Sequence, residues 1–218
     1  MNKSILAVVA VAAVAGGGWF LTQTPETTPT AARTTDAEAA QFDVIEMVQG
    51  NPDSAVEVIE YASYTCPHCA AFHANQYQDL KENYIDTGLI RFVYREVYFD
   101  QPGLWASMIA RCGGEDRFFG ISNLLYESQQ DWARAGDGAA VAAALRNIGK
   151  VAGITDEELD ACMSDGDNAQ ELLAWYRVNA ELDEVQGTPS FVINGEKYSN
   201  MNYSEFAEVL DDKLAETN

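Results

Sequence analysis

Two cysteines, Cys66 and Cys69, flank Pro67 and His68 in a Cys-x-x-Cys motif. Pro67 favours the first position of a helix, which makes Cys66 the N-cap residue and Cys69 the third helical residue. The unpaired backbone N–H groups and the dipole at the start of a helix stabilise a thiolate on Cys66. The motif therefore predicts thiol–disulfide exchange, in which Cys66 attacks and leaves while the more buried Cys69 resolves the mixed disulfide.

Other uses of this motif find less support in the residues around it. A zinc site needs a second pair of ligands at suitable spacing, and Cys112 and Cys162 each stand alone. A c-type haem needs histidine directly after the second cysteine, where the chain has Ala70. A purely structural disulfide is a further alternative. We expect neither a metal nor a cofactor, and we expect His68 to donate to the thiolate or to add positive charge when protonated.

The elements that position the motif follow from the hydrophobic pattern. Val56–Tyr61 is apolar and β-branched and predicts a buried strand before the motif. Apolar residues at three- and four-residue spacing predict a helix from the motif to Tyr84, ended by Gly88. Ile90–Val97 is a second strand pattern. The order strand, helix, strand indicates a parallel βαβ unit.

Residues 101–182 show alanine- and leucine-rich stretches broken by glycines and no strand pattern, so they predict an all-helical insertion. Strand signals return behind the insertion, followed by an amphipathic helix. The predicted elements are the strands Ser190–Ile193 and Glu196–Ser199, the Asn194-Gly195 turn between them, and the helix Tyr203–Ala215. We predict an α/β fold in which the insertion separates a βαβ half, residues 42–100, from a ββα half, residues 183–218.

The N-terminal 41 residues differ from the rest of the chain. Residues 1–21 contain Lys3 and a long apolar run, which predicts an export signal or a retained N-terminal anchor. Residues 22–41, rich in Thr, Pro and Ala, predict a disordered tether. The chain has 13 basic and 34 acidic residues and a formal charge of −21, so nucleic acid is not an expected partner.

Glu60 and the pair Thr188-Pro189 complete the candidate site. Glu60, six residues before Cys66, is the charged residue on its face of the first strand. In a sheet covered on both faces this carboxyl group would be buried, and burial favours the protonated form, which would let it accept or pass on the proton of Cys69. A sheet-edge glutamate in a salt bridge is the alternative. Pro189 opens a predicted strand, which by itself is ordinary for proline.

The combination of these features resembles DsbA-like periplasmic disulfide oxidoreductases. It consists of the strand with Glu60, the Cys66–Cys69 motif, the helical insertion and Thr188-Pro189 before a hairpin, in that order. The densest matches are Val58–Phe72 and Val185–Gly195. Two separate motifs in the right order are more specific than Cys-x-x-Cys alone.

The resemblance implies a thioredoxin fold with a helical insertion and an enzyme that introduces disulfides into exported proteins. It implies that Cys66 forms mixed disulfides with unfolded or folding substrates and that Glu60 is the buried carboxylate. Pro189 would be a cis-proline against Cys66, with the backbone beside it pairing with substrate as an added strand. A DsbB-like membrane oxidase would recycle the centre. We expect a monomer in the periplasm.

Thr188 departs from the best-known oxidases, which have an aliphatic residue before this proline. Many reductase and isomerase relatives have threonine there, so a periplasmic reductase or isomerase with the same centre is the alternative function. A non-catalytic metal-binding or chaperone-like module is a further alternative.

Cys112 and Cys162 lie within the predicted insertion. We expect them to form a structural disulfide, which would contribute roughly 4 kcal/mol by closing a loop of about 50 residues; free thiols or a second redox pair are the alternatives. We expect His73 to be a packed or surface residue. The expected core of the insertion includes the aromatic residues Trp105, Trp132, Trp175 and Tyr176.

Overall fold

The computed structural model describes residues 42–217. The predicted signal or anchor, residues 1–21, and the predicted tether, residues 22–41, lie outside the described residues. Within residues 42–217 no helix is both long enough and apolar enough to cross a membrane.

The described residues form one five-stranded mixed sheet with the strand order β1-β3-β2-β4-β5. Strands β2 and β3 are parallel, and the other neighbours are antiparallel. The central strand, β2, leads into the Cys66–Cys69 motif. The strand bounds are β1 Met47–Gly50, β2 Glu57–Ala62, β3 Arg91–Glu96, β4 Ser190–Ile193 and β5 Glu196–Ser199.

Helices follow β2, separate β3 from β4, and end the described chain. The helix bounds are α1 Pro67–Asn75, α2 Tyr77–Leu80, α3 Gln101–Cys112, α4 Glu115–Glu127, α5 Gln129–Trp132, α6 Gly138–Val151, α7 Asp156–Ser164, α8 Gly166–Leu182 and α9 Tyr203–Glu216. A π-helical turn, Lys81–Ile85, continues α2. Helices α3 to α8 form the insertion between the βαβ and ββα halves, which confirms the predicted fold class.

Strand β1 is absent from the sequence-based prediction. Its four residues pair antiparallel with β3, from Met47 opposite Tyr94 to Gly50 opposite Arg91. A segment this short carries too few alternating positions for a period-two pattern. Gly50 ends the strand at φ +83°, and a Cβ atom there would stand 2.3 Å from the carbonyl oxygen of Ile90. Glycine is therefore required at this close approach.

The helix predicted to run from the motif to Tyr84 is interrupted. At Gln76 the backbone leaves the helical region, with φ −127° and ψ −39°, and α1 ends before it. The side chains of Tyr77 and Leu80 are nevertheless buried behind the break. Apolar spacing that continues through a kink gives the same sequence pattern as one continuous helix, so the pattern could not reveal the break.

Both faces of the sheet are covered, as the prediction for Glu60 required. One face carries the main core, which continues into the insertion through residues such as Phe118 and Trp132. The other face carries Tyr61 and Val93, against which Tyr176 of α8 packs.

Four aromatic residues of the insertion are predicted to lie in its core. Trp132 and Trp175 are fully buried, and Trp105 and Tyr176 are partly buried.

Candidate active site

Cys66 and Cys69 lie where β2 passes into α1. Cys66 is the N-cap residue in an extended conformation, and Pro67 begins the helix, as the sequence predicts. The loop between strand and helix is fixed by its backbone: the N–H of Cys66 donates to the carbonyl of Ser63 at 3.0 Å. Cys66 is 7% exposed and Cys69 is fully buried, and both are free thiols in this structure. The first sulfur is thus nearer the surface than the second.

The pKa of Cys66 is lowered to about 5. The largest cause is hydrogen bonding from the Cys69 side chain, which outweighs desolvation by burial; the Thr188 side chain and the backbone N–H groups of Cys69 and His68 lower it further. The motif predicts that the amides at the start of α1 stabilise the thiolate; two of them do lower the pKa of Cys66, and the neighbouring thiol lowers it more.

His68 and Cys69 differ in what their side chains contribute. The ring of His68 is exposed, and its backbone N–H is the group that lowers the pKa of Cys66. Burial, followed by the hydrogen bond to Cys66, raises the pKa of Cys69 far above that of a free thiol. At neutral pH the pair therefore holds one thiolate and one thiol, with the thiol donating to the thiolate.

Thr188 and Pro189 lie against the first cysteine. The Sγ of Cys66 lies 3.4 Å from the carbonyl oxygen of Thr188, to which it donates when it is protonated, and the peptide bond between Thr188 and Pro189 is cis. Thr188 and Pro189 also line a cavity of about 350 Å³, together with Lys197 and Tyr198 of β5, among others.

Glu60 is completely buried in the middle of the sheet, paired with Tyr94 of β3 and Phe191 of β4. The alternative of a sheet-edge position is therefore wrong. Its carboxylate does form an ion-pair contact, with Nε2 of His73 at 3.1 and 3.2 Å from the two oxygens. His73 itself is 6% exposed. The role of Glu60 in moving the Cys69 proton stays a prediction.

His73 and Gln129 are site residues that the sequence analysis missed as such. His73 follows Cys69 by four positions, one helical turn away on the same face of α1, and this spacing was the available signal. Gln129 is a buried side chain at the start of α5. Its Nε2 donates to the carbonyls of Tyr64 at 2.9 Å and Cys66 at 2.8 Å. No local pattern marks Gln129, because its partners are about 60 residues away in the chain.

The second cysteine pair belongs to the insertion. Cys112, the last residue of α3, and Cys162, in the last turn of α7, are joined by a disulfide with their Cα atoms 5.9 Å apart. Neither residue is placed among the groups around Cys66. Over residues 42–217 no cluster of three or more His, Cys, Asp or Glu side chains offers a metal site.

A thiol with a strongly lowered pKa, a buried thiol one turn behind it and a carbonyl at the first sulfur can exchange disulfides with an extended peptide. Together with the interrupted βαβ–ββα architecture, this arrangement defines the class of thioredoxin-fold thiol–disulfide oxidoreductases.

The chain belongs to the thioredoxin family, whose model, described as Thioredoxin, matches residues 43–212. It is 34% identical over 178 residues to a Rickettsia bellii protein that carries the name of a protein-disulfide oxidoreductase, covering 81% of this chain and 68% of that one. It is 23% identical to disulfide bond formation protein D of Bacillus subtilis, covering 77% and 76%. These relatives confirm the DsbA-like resemblance at the level of a thiol:disulfide oxidoreductase.

The fold has close counterparts among solved structures. The crystal structure of Wolbachia pipientis alpha-DsbA1 superposes with a TM-score of 0.71 at 23% identity, covering 78% of this chain and 92% of that one. The chain spans 61 to 68% of the length of the Rickettsia relatives that it matches.

Proposed function

We propose that this protein introduces disulfides into exported proteins by passing on a disulfide formed between Cys66 and Cys69. The observation that carries the proposal is the opposite displacement of the two thiol pKa values, lowered to about 5 at Cys66 and raised at the buried Cys69. The first cysteine is then a good leaving group, and the second stays protonated until it is needed.

The exchange runs in two steps. A substrate thiolate attacks Sγ of Cys66, the bond between Cys66 and Cys69 breaks, and its electron pair goes to Cys69, which takes up a proton. A second substrate thiolate then attacks the substrate sulfur of the mixed disulfide, the substrate becomes oxidised, and Cys66 leaves as a thiolate. Two electrons pass from the substrate dithiol to the cysteine pair, and Cys69 gains one proton.

The lowered pKa of Cys66 also supports the oxidising direction. A thiolate that the folded protein stabilises makes the reduced form more stable relative to the disulfide. The disulfide is correspondingly easier to reduce, which drives it to accept electrons from substrate thiols. The lowered pKa of Cys66 therefore favours an oxidase over a reductase with the same centre.

Substrates and partners follow from the surface around Pro189 and from the compartment. An extended segment with a reactive cysteine would lie along the carbonyl of Thr188, with its side chains reaching the cavity beside Tyr198. The export signal or anchor predicted in residues 1–21 and the disulfide of the insertion are both typical of an oxidising compartment such as the periplasm. A DsbB-like membrane oxidase would restore the Cys66–Cys69 disulfide, and the protein would act as a monomer.

The test combines an equilibrium with a trapping experiment. The equilibrium constant of the pair with glutathione should correspond to a more oxidising potential than that of a structural disulfide. Replacing Cys69 with Ser should accumulate mixed disulfides with a reduced, unfolded substrate protein, because the resolving thiol is gone. Replacing Cys66 with Ser should leave neither exchange nor trapped complexes. Retained exchange in the Cys66→Ser protein would disprove the assignment.

A reductase or isomerase with the same centre is the second candidate, because many such relatives have threonine before this proline, as this chain does at Thr188. The redox state of the pair in cells separates the two. An oxidase is found mainly as the disulfide, whereas a reductase or isomerase is kept as the dithiol. The double variant Cys112→Ala/Cys162→Ala keeps both cysteines of the redox centre and is the control for cysteine loss away from the site.

A further inference from the structure

His73 both contacts the buried Glu60 and lines a cavity beside α1. His73 lies one helical turn behind Cys69, and its Nε2 faces both oxygens of the Glu60 carboxylate. An ionised carboxylate only accepts hydrogen bonds, so Nε2 carries the proton in this contact whenever Glu60 is ionised. Burial and, after it, the proximity of Cys69 and Glu60 raise the pKa of Tyr126, whose ring stacks on His73 at 4.2 Å. Cysteine, carboxylate and imidazole thus belong to one cluster.

The other ring nitrogen of His73 is unused inside the protein. Nδ1 is buried and has no hydrogen-bond partner. His73 lines a cavity of about 400 Å³ whose walls include the exposed residues Ala74, Gln78 and Glu127. A cavity bounded by polar and exposed residues admits water. A role limited to holding Glu60 would use Nε2 alone and would leave the buried Nδ1 unsatisfied at an energetic cost.

We propose that His73 is a positioning and proton-relay residue that connects Glu60 with the water of this cavity. When a substrate thiolate opens the Cys66–Cys69 disulfide, the leaving sulfur of Cys69 gains one proton by way of Glu60, and His73 replaces it from the cavity. On re-oxidation Cys69 loses this proton along the same route, attacks Sγ of Cys66 and expels the thiolate of the oxidant. One proton enters and one leaves in each cycle. This inference rests on the proposed function.

Several titratable groups surround His73 and could share a pH dependence with it. They are Glu60 on β2, Cys69 on α1, Tyr77 on α2, Tyr94 on β3 and Tyr126 and Glu127 on α4. Burial raises the pKa of each of the three tyrosines, so they stay neutral through the range in which the exchange is measured. Glu127 is exposed at the cavity and is the group to remove in a control for pH effects.

The test isolates the step in which Cys69 gives up its proton and attacks Sγ of Cys66. Reduced full-length protein is mixed with oxidised glutathione, quenched with acid at successive times, and analysed by mass spectrometry for the glutathione adduct on Cys66. In His73→Ala the adduct should resolve at least about tenfold more slowly, because a positioned acid–base group is lost. The rate of Cys66 alkylation should change by less than about twofold. Imidazole in solution should restore resolution, whereas pyrrole, which has the same shape but no basic nitrogen, should not.

Two further variants and one control complete the test. His73→Gln keeps a donor to Glu60 but no relay, so it should be slow without rescue, and it carries the test if His73→Ala does not fold. Gln78→Ala and Glu127→Gln change the same cavity without touching Glu60 and should resolve at the rate of the unmodified protein. Normal resolution in His73→Gln, or equal rescue by pyrrole and imidazole, overturns the relay. Failure of the unmodified protein to form any adduct overturns the proposed function instead.

Discussion

The protein contains two cysteine pairs, one at the start of a helix and the other at the C-terminal ends of two helices. Cys66 and Cys69 occupy the first turn of α1, whereas Cys112 and Cys162 lie in the last turns of α3 and α7. Unpaired N–H groups at a helix start favour a thiolate, and unpaired carbonyls at a helix end disfavour one. The position of a cysteine along its helix therefore separates the reactive pair from the inert pair before any longer-range contact is considered.

The loops that the two pairs close differ as well. Cys112 and Cys162 are 50 residues apart in the chain, so their disulfide restricts the unfolded chain by about 4 kcal/mol. A disulfide across a Cys-x-x-Cys motif closes a few residues and contributes about 2 kcal/mol on the same basis. The inert pair stabilises the fold, and the reactive pair can change its redox state at low cost.

The largest effect that the comparison predicts is on stability. Replacing Cys112 and Cys162 with Ala should lower the free energy of unfolding by about 4 kcal/mol, because a long loop is no longer closed. The rate of Cys66 alkylation should stay the same, because neither residue contacts the redox centre. Urea unfolding of both proteins, with alkylation kinetics on the same samples, measures the two quantities. A changed alkylation rate would show that the two pairs are not independent.

The second prediction concerns the pH dependence of stability in the reduced protein. The pKa of Cys66 is about 5 in the folded state and close to 8.5 in the unfolded state, so between these values only the unfolded chain binds the proton. Stability of the reduced form should therefore rise from about pH 5 toward pH 8.5, and this gain should be lost as the pH falls through about 5. Cys69 adds little below about pH 7.5, because it is protonated in the folded state, where its pKa is raised, and still mostly protonated in the unfolded state, where its pKa is about 8.5.

The expected size of this effect is about 2 kcal/mol between roughly pH 5 and pH 7, after allowing for solvent screening at a partly accessible sulfur. The measurement is the free energy of unfolding of the reduced protein minus that of the oxidised protein at each pH. The oxidised form has no titrating thiol at this site and serves as the control. A difference that stays constant with pH would contradict the lowered pKa of Cys66.

The sequence predicts those parts of the molecule that local patterns encode. The strands Ser190–Ile193 and Glu196–Ser199 were predicted with their observed bounds, because an Asn-Gly turn fixes the register of a hairpin. The N-cap position of Cys66 followed in the same way from Pro67. The dominant cause of the lowered Cys66 pKa could not be predicted from the sequence. It depends on how far the side chain of Cys69 reaches toward Cys66, and the helix positions of the two residues do not determine that distance.

The missed features share one physical reason. His73 and Gln129 acquire their roles from partners that are distant in the chain, namely Glu60 on β2 and the loop before α1. A buried polar side chain must find a hydrogen-bond partner, but the sequence alone does not name that partner. Strand β1 was missed for a related reason, since its pairing with β3 decides that four residues form a strand.

The third prediction concerns Gln129. This residue belongs to the insertion, which carries the inert cysteine pair, and it donates hydrogen bonds to the loop that carries the reactive Cys66. Gln129→Leu leaves the buried carbonyl of Tyr64 without its donor, whereas the carbonyl of Cys66 still accepts from Ala70 at 3.2 Å. The expected cost is about 1–2 kcal/mol of unfolding free energy. Denaturant unfolding measures it. Gln170→Leu on the exposed face of α8 is the matched control and should change stability by less than about 0.5 kcal/mol.

The smallest effect should come from His68, although it lies between the two reactive cysteines. Its ring is exposed, and its backbone N–H, which lowers the pKa of Cys66, is kept in any substitution other than proline. His68→Ala should therefore shift the pKa of Cys66 by less than about half a unit, which corresponds to less than about 0.7 kcal/mol. Cys69→Ala is the contrasting variant, because it removes the largest cause and should raise the pKa of Cys66 by about one unit or more. The thiolate absorbance of reduced protein against pH measures both. A larger shift in His68→Ala than in Cys69→Ala would mean that the imidazole, rather than the neighbouring thiol, holds the reactive sulfur ionised.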